Sequence, residues 1–191
     1  MTDTRYVALL KGINVGKAKR IAMADLRAIL TGLGYGDVIT HLQSGNAAFT
    51  LSSAAGPHAA DTVGTAIERG LVAELGVDAR VVVRTHRQLV EAVAADPFAD
   101  LADDPSKHIL GFFSDVPTAA KVSGFEAFVA ARDLDPEVAG LHSIDGDHCY
   151  LWCPQGVSKS LFGTVDWDRK LGVAVTMRNW STALKLVEMS G

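Results

Sequence analysis

The chain has 191 residues, 48% of them hydrophobic and 21% charged, enough apolar material to bury a globular core. Its 18 basic residues against 22 acidic ones leave a formal net charge of −4. That balance argues against tight non-specific binding to nucleic acid, which depends on neutralising phosphates with Lys and Arg.

The opening "MTDTRYVALLK" has no basic leader and only a short apolar run before Lys11. No signal peptide and no membrane span are expected, and the chain reads as a soluble cytoplasmic protein. "RYVALL" is a buried strand ending at Gly12. Met23, Leu26, Leu30 and Leu33 recur at helical spacing, and Gly32 and Gly34 mark the helix end. "DVITHLQSGNAAFTL" reads as two strands turning near Gly45-Asn46. Val63, Ile67, Leu71 and Leu75 form a second helical stripe, and "ARVVVR" is a β-branched strand. Thr85 and Gln88 have capping-box spacing ahead of Leu89, Val90 and Val93. Asp96-Pro97 closes that helix, because a residue before proline avoids the α region.

"DPFADLADDPSK" has little periodicity and reads as the connection between two halves. The order then recurs. "KHILGFFSD" is a strand, and Phe125, Phe128 and Val129 mark a helix. "LHSIDGDHCYLWC" is a hairpin about an Asp145-Gly146 turn. "VSKSLFGTVDWDRKL" is helical in part, "GVAVTM" is a strand, and Trp180, Leu184 and Val187 line a last helix. Each half thus reads strand–helix–strand–strand–helix–strand–helix, and its first six elements match the split β-α-β unit of ferredoxin-like folds. The expected architecture is α+β: two tandem ferredoxin-like (βαββαβ) subdomains, residues 1–98 and 99–191, each with an additional terminal helix.

The segment "LLKGINVGKAKR" invites comparison with phosphate-binding loops. A Walker loop needs G-x-x-x-x-G-K-[ST], whereas Gly12 to Gly16 is one residue short and Ala18 follows Lys17. A dinucleotide fingerprint needs a third glycine that this stretch lacks. What survives is a strand-to-helix loop in which Gly12 and Gly16 allow close backbone approach and Lys11, Lys17, Lys19 and Arg20 favour an anion. Ser44-Gly45-Asn46 is either turn chemistry or a polar tip facing that loop. Asn179 reads as an N-cap and Trp180 as core, while Arg178 beside a helix N-terminus has the makings of an anion site.

His142, His148, Cys149 and Cys153 raise the question of zinc. Across an Asp145-Gly146 turn, His142 should pair with Cys149 and His148 should point to the other face. Close ligand pairs are missing, so no metal is expected. The two cysteines, if on one strand, stand about 13 Å apart at ~3.3 Å per residue, too far for a disulfide. His148, Tyr150 and Trp152 share a strand face. They read as aromatic core facing the helices rather than as a base-stacking platform, since the RNP pattern is absent. Asp166 and Asp168 flank Trp167 and read as solvated carboxylates.

"YVALLKGINVGKAKRIAMADLRAIL", "LQSGNAAF" and "TMRNWSTALKL" together resemble the DUF1697 family, a bacterial domain of unknown function. The resemblance implies two ferredoxin-like halves and supplies no activity, catalytic residue or cofactor. It implies polar stretches at Lys11, Gly12, Asn14, Gly16, Ser44, Gly45, Asn46, Arg178, Asn179 and Trp180. The family loop often has two adjacent glycines where this chain has Gly16-Lys17. A further family stretch, G-x-x-basic-S-K-L, fits Lys159 and Ser160, although Leu161 stands where a lysine would.

These readings converge on a small anionic or phosphate-bearing ligand in a cleft between the halves, lined by the loop from Lys11 to Lys17 and held by Lys11 and Arg178. Asn14, Ser44 and Asn46 would orient it and Trp180 would pack on it. A single-stranded nucleic-acid module, or an interaction domain without a ligand, are the alternatives. Oligomeric state is not legible.

Overall fold

A computed structural model describes residues 4–15, 19–51 and 60–191. The elements run β1 (Thr4–Leu10), α1 (Met23–Gly32), β2 (Gly36–His41), β3 (Asn46–Leu51), α2 (Ala60–Leu75), β4 (Val81–Thr85) and α3 (His86–Ala94). They continue with β5 (His108–Phe113), α4 (Ala119–Ala130), α5 (Pro136–Ala139), β6 (Leu141–Asp145), β7 (His148–Trp152), α6 (Leu161–Thr164), α7 (Trp167–Leu171), β8 (Val175–Asn179) and α8 (Trp180–Ser190). The chain is α+β, with two four-stranded sheets of order β2-β3-β1-β4 and β6-β7-β5-β8, antiparallel throughout.

Two compact units emerge. One runs to Glu91 and takes in Leu184–Gly191, and the other is Ala92–Ala183. The C-terminal turn of α8 is fastened within the first unit. Arg5 Nη2 donates to the Met189 carbonyl at 2.7 Å, and the His86 ring lies 2.9 Å from Ser190 Oγ.

The first unit buries one sheet face under α1 and α2. Tyr6, Ala8 and Leu10 of β1, Phe49 of β3 and Val83 of β4 meet Leu26 and Leu30 of α1 and Ile67 and Leu71 of α2. Of the helical stripes read from sequence, Met23, Leu26 and Leu30 and Val63, Ile67 and Leu71 are buried in this core and Leu75 packs partly against it, as a 3.6-residue period requires, whereas Leu33 caps the end of α1 and is exposed. In the second unit Ile109, Phe113, Cys149, Leu151 and Val175 meet Phe125 of α4, Phe162 of α6 and Trp167 and Leu171 of α7.

The two sheets share a register. Leu10 N donates to Gly45 O and Phe113 N to Asp147 O, both at 2.8 Å. Lys11 N donates to Arg80 O and Ser114 N to Ala174 O, again at 2.8 Å. Arg84 and Arg178 occupy equivalent places, opposite Val7 and Leu110 of the central strands. Each is the penultimate residue of its strand, each is buried, and each gives Nη1 to the carbonyl of the residue before it. A polar cap follows in both. Thr85 and Gln88 close the full capping box, Thr85 N to Gln88 Oε1 at 2.9 Å and Gln88 N to Thr85 Oγ1 at 3.2 Å. Asn179 Oδ1 accepts from Thr182 N at 3.0 Å.

Two expectations about the second sheet are corrected. The hairpin turns on Gly146-Asp147, because the closing pair is Asp145 with His148. Gly146, at φ +54, takes the first loop position, where a II′ turn wants glycine. His142 therefore pairs with Leu151, and Cys149 with Ile144. The shift is two residues in pairing, so His142 and Cys149 still share a face. Tyr150 and Trp152 are buried, yet on the face opposite α4, α6 and α7, because the helix-side positions of β7 are Cys149 and Leu151. This sheet is buried on both faces, so an alternating strand could not reveal which set met the helices.

Candidate functional site

The segment after β1 turns sharply, with Gly12 at φ +64 and Asn14 at φ +55. Asparagine tolerates the left-handed region, and here its side chain exploits it. Asn14 Oδ1 accepts from Ile21 N at 3.0 Å, and Nδ2 donates to Ile21 O at 2.9 Å and to Gln43 O at 2.6 Å. Its backbone N–H donates to Lys19 O at 3.1 Å. Asn14 is a clasp that joins both ends of the loop and pins it to the turn after β2. Lys19 and Arg20 are exposed on the clasped loop, and Lys11 at its root is half-buried. Gly16 and Lys17 lie outside the described residues.

The turn from Leu42 to Gly45 meets this clasp. Gly45 has φ +76, and a Cβ there would stand 2.6 Å from Ile13 Cδ1 and 2.7 Å from Leu10 Cβ. Only glycine satisfies both the dihedral and the close approach. Asn46 is fully buried, and its Nδ2 donates to His41 O at 3.0 Å and to Ser44 Oγ at 2.9 Å. Lys11, Gly12, Asn14, Ser44, Gly45 and Asn46 are thus gathered at one end of the first sheet. The Asn14 side chain joins the two loops and that of Asn46 braces its own turn, while Lys19 and Arg20 are exposed beside Val15 and Leu42.

The remaining sequence-derived residues lie in the second unit. Arg178 gives Nη1 to Thr176 Oγ1 at 2.9 Å and to Met177 O at 2.7 Å, and burial brings its guanidinium down to about 10, still charged at neutral pH. Asn179 caps α8. Trp180 is half-buried and stacks on His108, ring centroids 4.0 Å apart. Lys159 is exposed on a 3₁₀ turn, Val157–Lys159. Ser160, buried, donates to Val157 O and caps α6 by accepting from Gly163 N. A Cβ on Gly163 would collide with the Val157 carbonyl, so this segment has a tightly constrained shape of its own.

Sequence reading passed over His108 and Asp96. The His108 imidazole is buried, with Nε2 3.2 Å from Asp96 Oδ1 but off a hydrogen-bonding line. Burial lowers the His108 pKa, and the Asp96 carboxylate opposes that shift. Arg84 was also missed. Its signal was the alignment of "VVVRTHRQL" with "VTMRNWSTAL", a basic residue and a polar cap where a strand runs straight into a helix.

The cysteines are free, and burial pushes the Cys149 thiol up to about 12 and raises Cys153 as well. Neither is activated as a nucleophile. Asp166 caps α7 and Asp168 accepts from Val175 N, so both have structural employment. Among the described residues no three His, Cys, Asp or Glu come together to hold a metal ion, and no helix is long and apolar enough to cross a membrane. Tyr150 gives its hydroxyl to Ala92 O at 2.6 Å, and with Trp152 buried neither ring is open for base stacking.

None of the curated proteins matches the chain. A solved structure described as that of the conserved bacterial protein SP0830 from Streptococcus pneumoniae matches over 100% of both chains, with a TM-score of 0.71 and 19% identity. That likeness is one of fold. Residues 3–137 match the family described as "Protein of unknown function (DUF1697)". With that match spanning well over half of the sequence, and with its clasped Lys-Gly-Ile-Asn loop and its Ser-Gly-Asn turn, the chain belongs to the DUF1697 family.

Proposed function

We propose that this protein binds a small anionic, phosphate-bearing molecule through the clasped loop, with Lys11, Lys19 and Arg20 supplying charge. The observation that carries the reading is the Asn14 clasp. Three side-chain hydrogen bonds tie Asn14 to Ile21 and Gln43, and beside them Lys19 and Arg20 are exposed, in a chain whose net charge is −4. A preorganised cationic loop loses little entropy when an anion docks, which is what makes such loops effective binders. The strand order and antiparallel pairing of each sheet support assigning both units to the ferredoxin-like class. A cytoplasmic setting agrees with two free cysteines.

The test is thermal denaturation of the full chain with inorganic phosphate against sodium chloride at matched ionic strength. Phosphate raises the melting temperature by linkage to the native state. The Lys19→Ala/Arg20→Ala variant loses that rise. An equal rise in wild type and in the double variant defeats the proposal.

A further inference from the structure

A second cationic feature lies in the second unit, on its helix layer. Between α4 and α7 is a depression of about 510 Å³ lined by Ala120, Lys121, Gly124, Phe128, Arg169 and Lys170. Arg132 stands behind it, giving Nη1 to the Phe128 carbonyl at 2.8 Å. We propose that this depression is a binding site for a compact polyanion of the diphosphate or oligophosphate class.

The charges are not neutralised from within. Among the described residues, Lys121, Arg132, Arg169 and Lys170 have no carboxylate within ion-pair distance. Placement at helix ends accounts for where they sit: Arg169 and Lys170 occupy the last turn of α7, and the Lys121 stem lies beside its C-cap Gly172. A partial dipole charge does not balance several whole cations, and a polyanion does.

The cations are also held in place. Lys170 Nζ lies 3.4 Å from the Phe128 ring centroid and Arg132 Cζ lies 3.5 Å from it. Two groups that close to one centroid must occupy opposite faces, so the ring is sandwiched. Cation–π contact restrains both side chains. The same sandwich sets the ligand class. With both faces of Phe128 taken, no planar base or aromatic ring can stack there, so recognition rests on charge-assisted hydrogen bonds from Lys121, Arg169 and Lys170. Gly124 supplies the room, because no atom lies within 4 Å of where its Cβ would be. A diphosphate spreads charge over several oxygens and reaches more than one of these cations, whereas a monoanion reaches fewer.

The experiment is an amide-shift NMR titration of the full chain with inorganic pyrophosphate, at ionic strength matched with sodium chloride. The Lys19→Ala/Arg20→Ala background silences the clasped loop, so failure there and failure here are read separately. Pyrophosphate should produce saturable shifts centred on residues 120–124 and 169–172, and orthophosphate weaker ones. Arg169→Ala and Lys170→Ala should each weaken binding by about fivefold or more. Gly124→Glu places a carboxylate among the cations, replaces a helix glycine with a better helix former, and should abolish the shifts in a folded protein. Absence of saturable shifts at millimolar pyrophosphate, or shifts undiminished in Gly124→Glu and Lys170→Ala, overturns the proposal.

Discussion

Replacing Asn14 separates a structural clasp from a ligand contact. Asn14→Ala removes two hydrogen bonds with the Ile21 backbone and one to Gln43 O, and it leaves alanine at φ +55. Net hydrogen bonds contribute about 1 kcal/mol each, the solvent-exposed one to Gln43 rather less, giving roughly 2.5 kcal/mol. Asparagine already carries a β-carbon there and tolerates the left-handed region better than alanine, a difference of about 0.5 kcal/mol. Asn14→Ala should therefore cost about 3 kcal/mol in urea denaturation, followed by far-ultraviolet circular dichroism. Asn14→Gly relieves the dihedral but not the lost bonds, and its greater unfolded-state entropy offsets part of the relief, so it should cost roughly 2–3 kcal/mol. Asn14→Asp keeps the acceptor for Ile21 N and loses both donors, placing a carboxylate against two carbonyl oxygens. It should be no better than alanine. If Asn14→Ala changes stability by less than about 0.5 kcal/mol, the clasp is not holding the loop, and the argument for a preorganised basic surface falls with it.

Two further outcomes follow from the second unit. A Cβ on Gly111 would stand 2.6 Å from Cys149 Sγ, so Gly111→Ala should cost about 2 kcal/mol by overpacking, and most of that cost should disappear in a Cys149→Ala background. Equal costs in the two backgrounds, from a denaturation double-mutant cycle, would show that the cross-strand contact is not the cause. His108 is held neutral by burial, with its folded pKa below the unfolded value of 6.5. The unfolded chain then binds the extra proton, so this contribution to stability is full above about pH 6.5 and is lost as pH falls below it toward the folded pKa. Urea denaturation from about pH 5 to pH 7.5 should give a flatter stability profile for His108→Phe than for wild type. Parallel profiles would assign the slope to other groups.

Much of the fold was legible because local chemistry and pattern agree. Met23, Leu26 and Leu30 announce α1 and become its buried face. Thr85 and Gln88 announce a capping box and form one. The short apolar run "YVALL" reads as a buried strand, and β1 is flanked on both sides. The polar family stretches near Asn14 and Gly45 were also visible as motifs. Their meaning was not, because the partners of Asn14 are a backbone amide and two carbonyls, and the carbonyl of Gln43 is remote in sequence and independent of side-chain identity. The hairpin register turned on a single position of Gly146, which alternating residues cannot reveal since a two-residue shift preserves every face. The Asp96–His108–Trp180 cluster joins the residues after α3, the start of β5 and the start of α8. The cations around Phe128 come from α4, the residues just after it and α7. In both, no spacing rule links the members. Sequence determines which residues a helix or strand turns inward, because that is a matter of backbone period. Which polar groups then confront one another depends on how separate elements pack, and only the tertiary structure decides it.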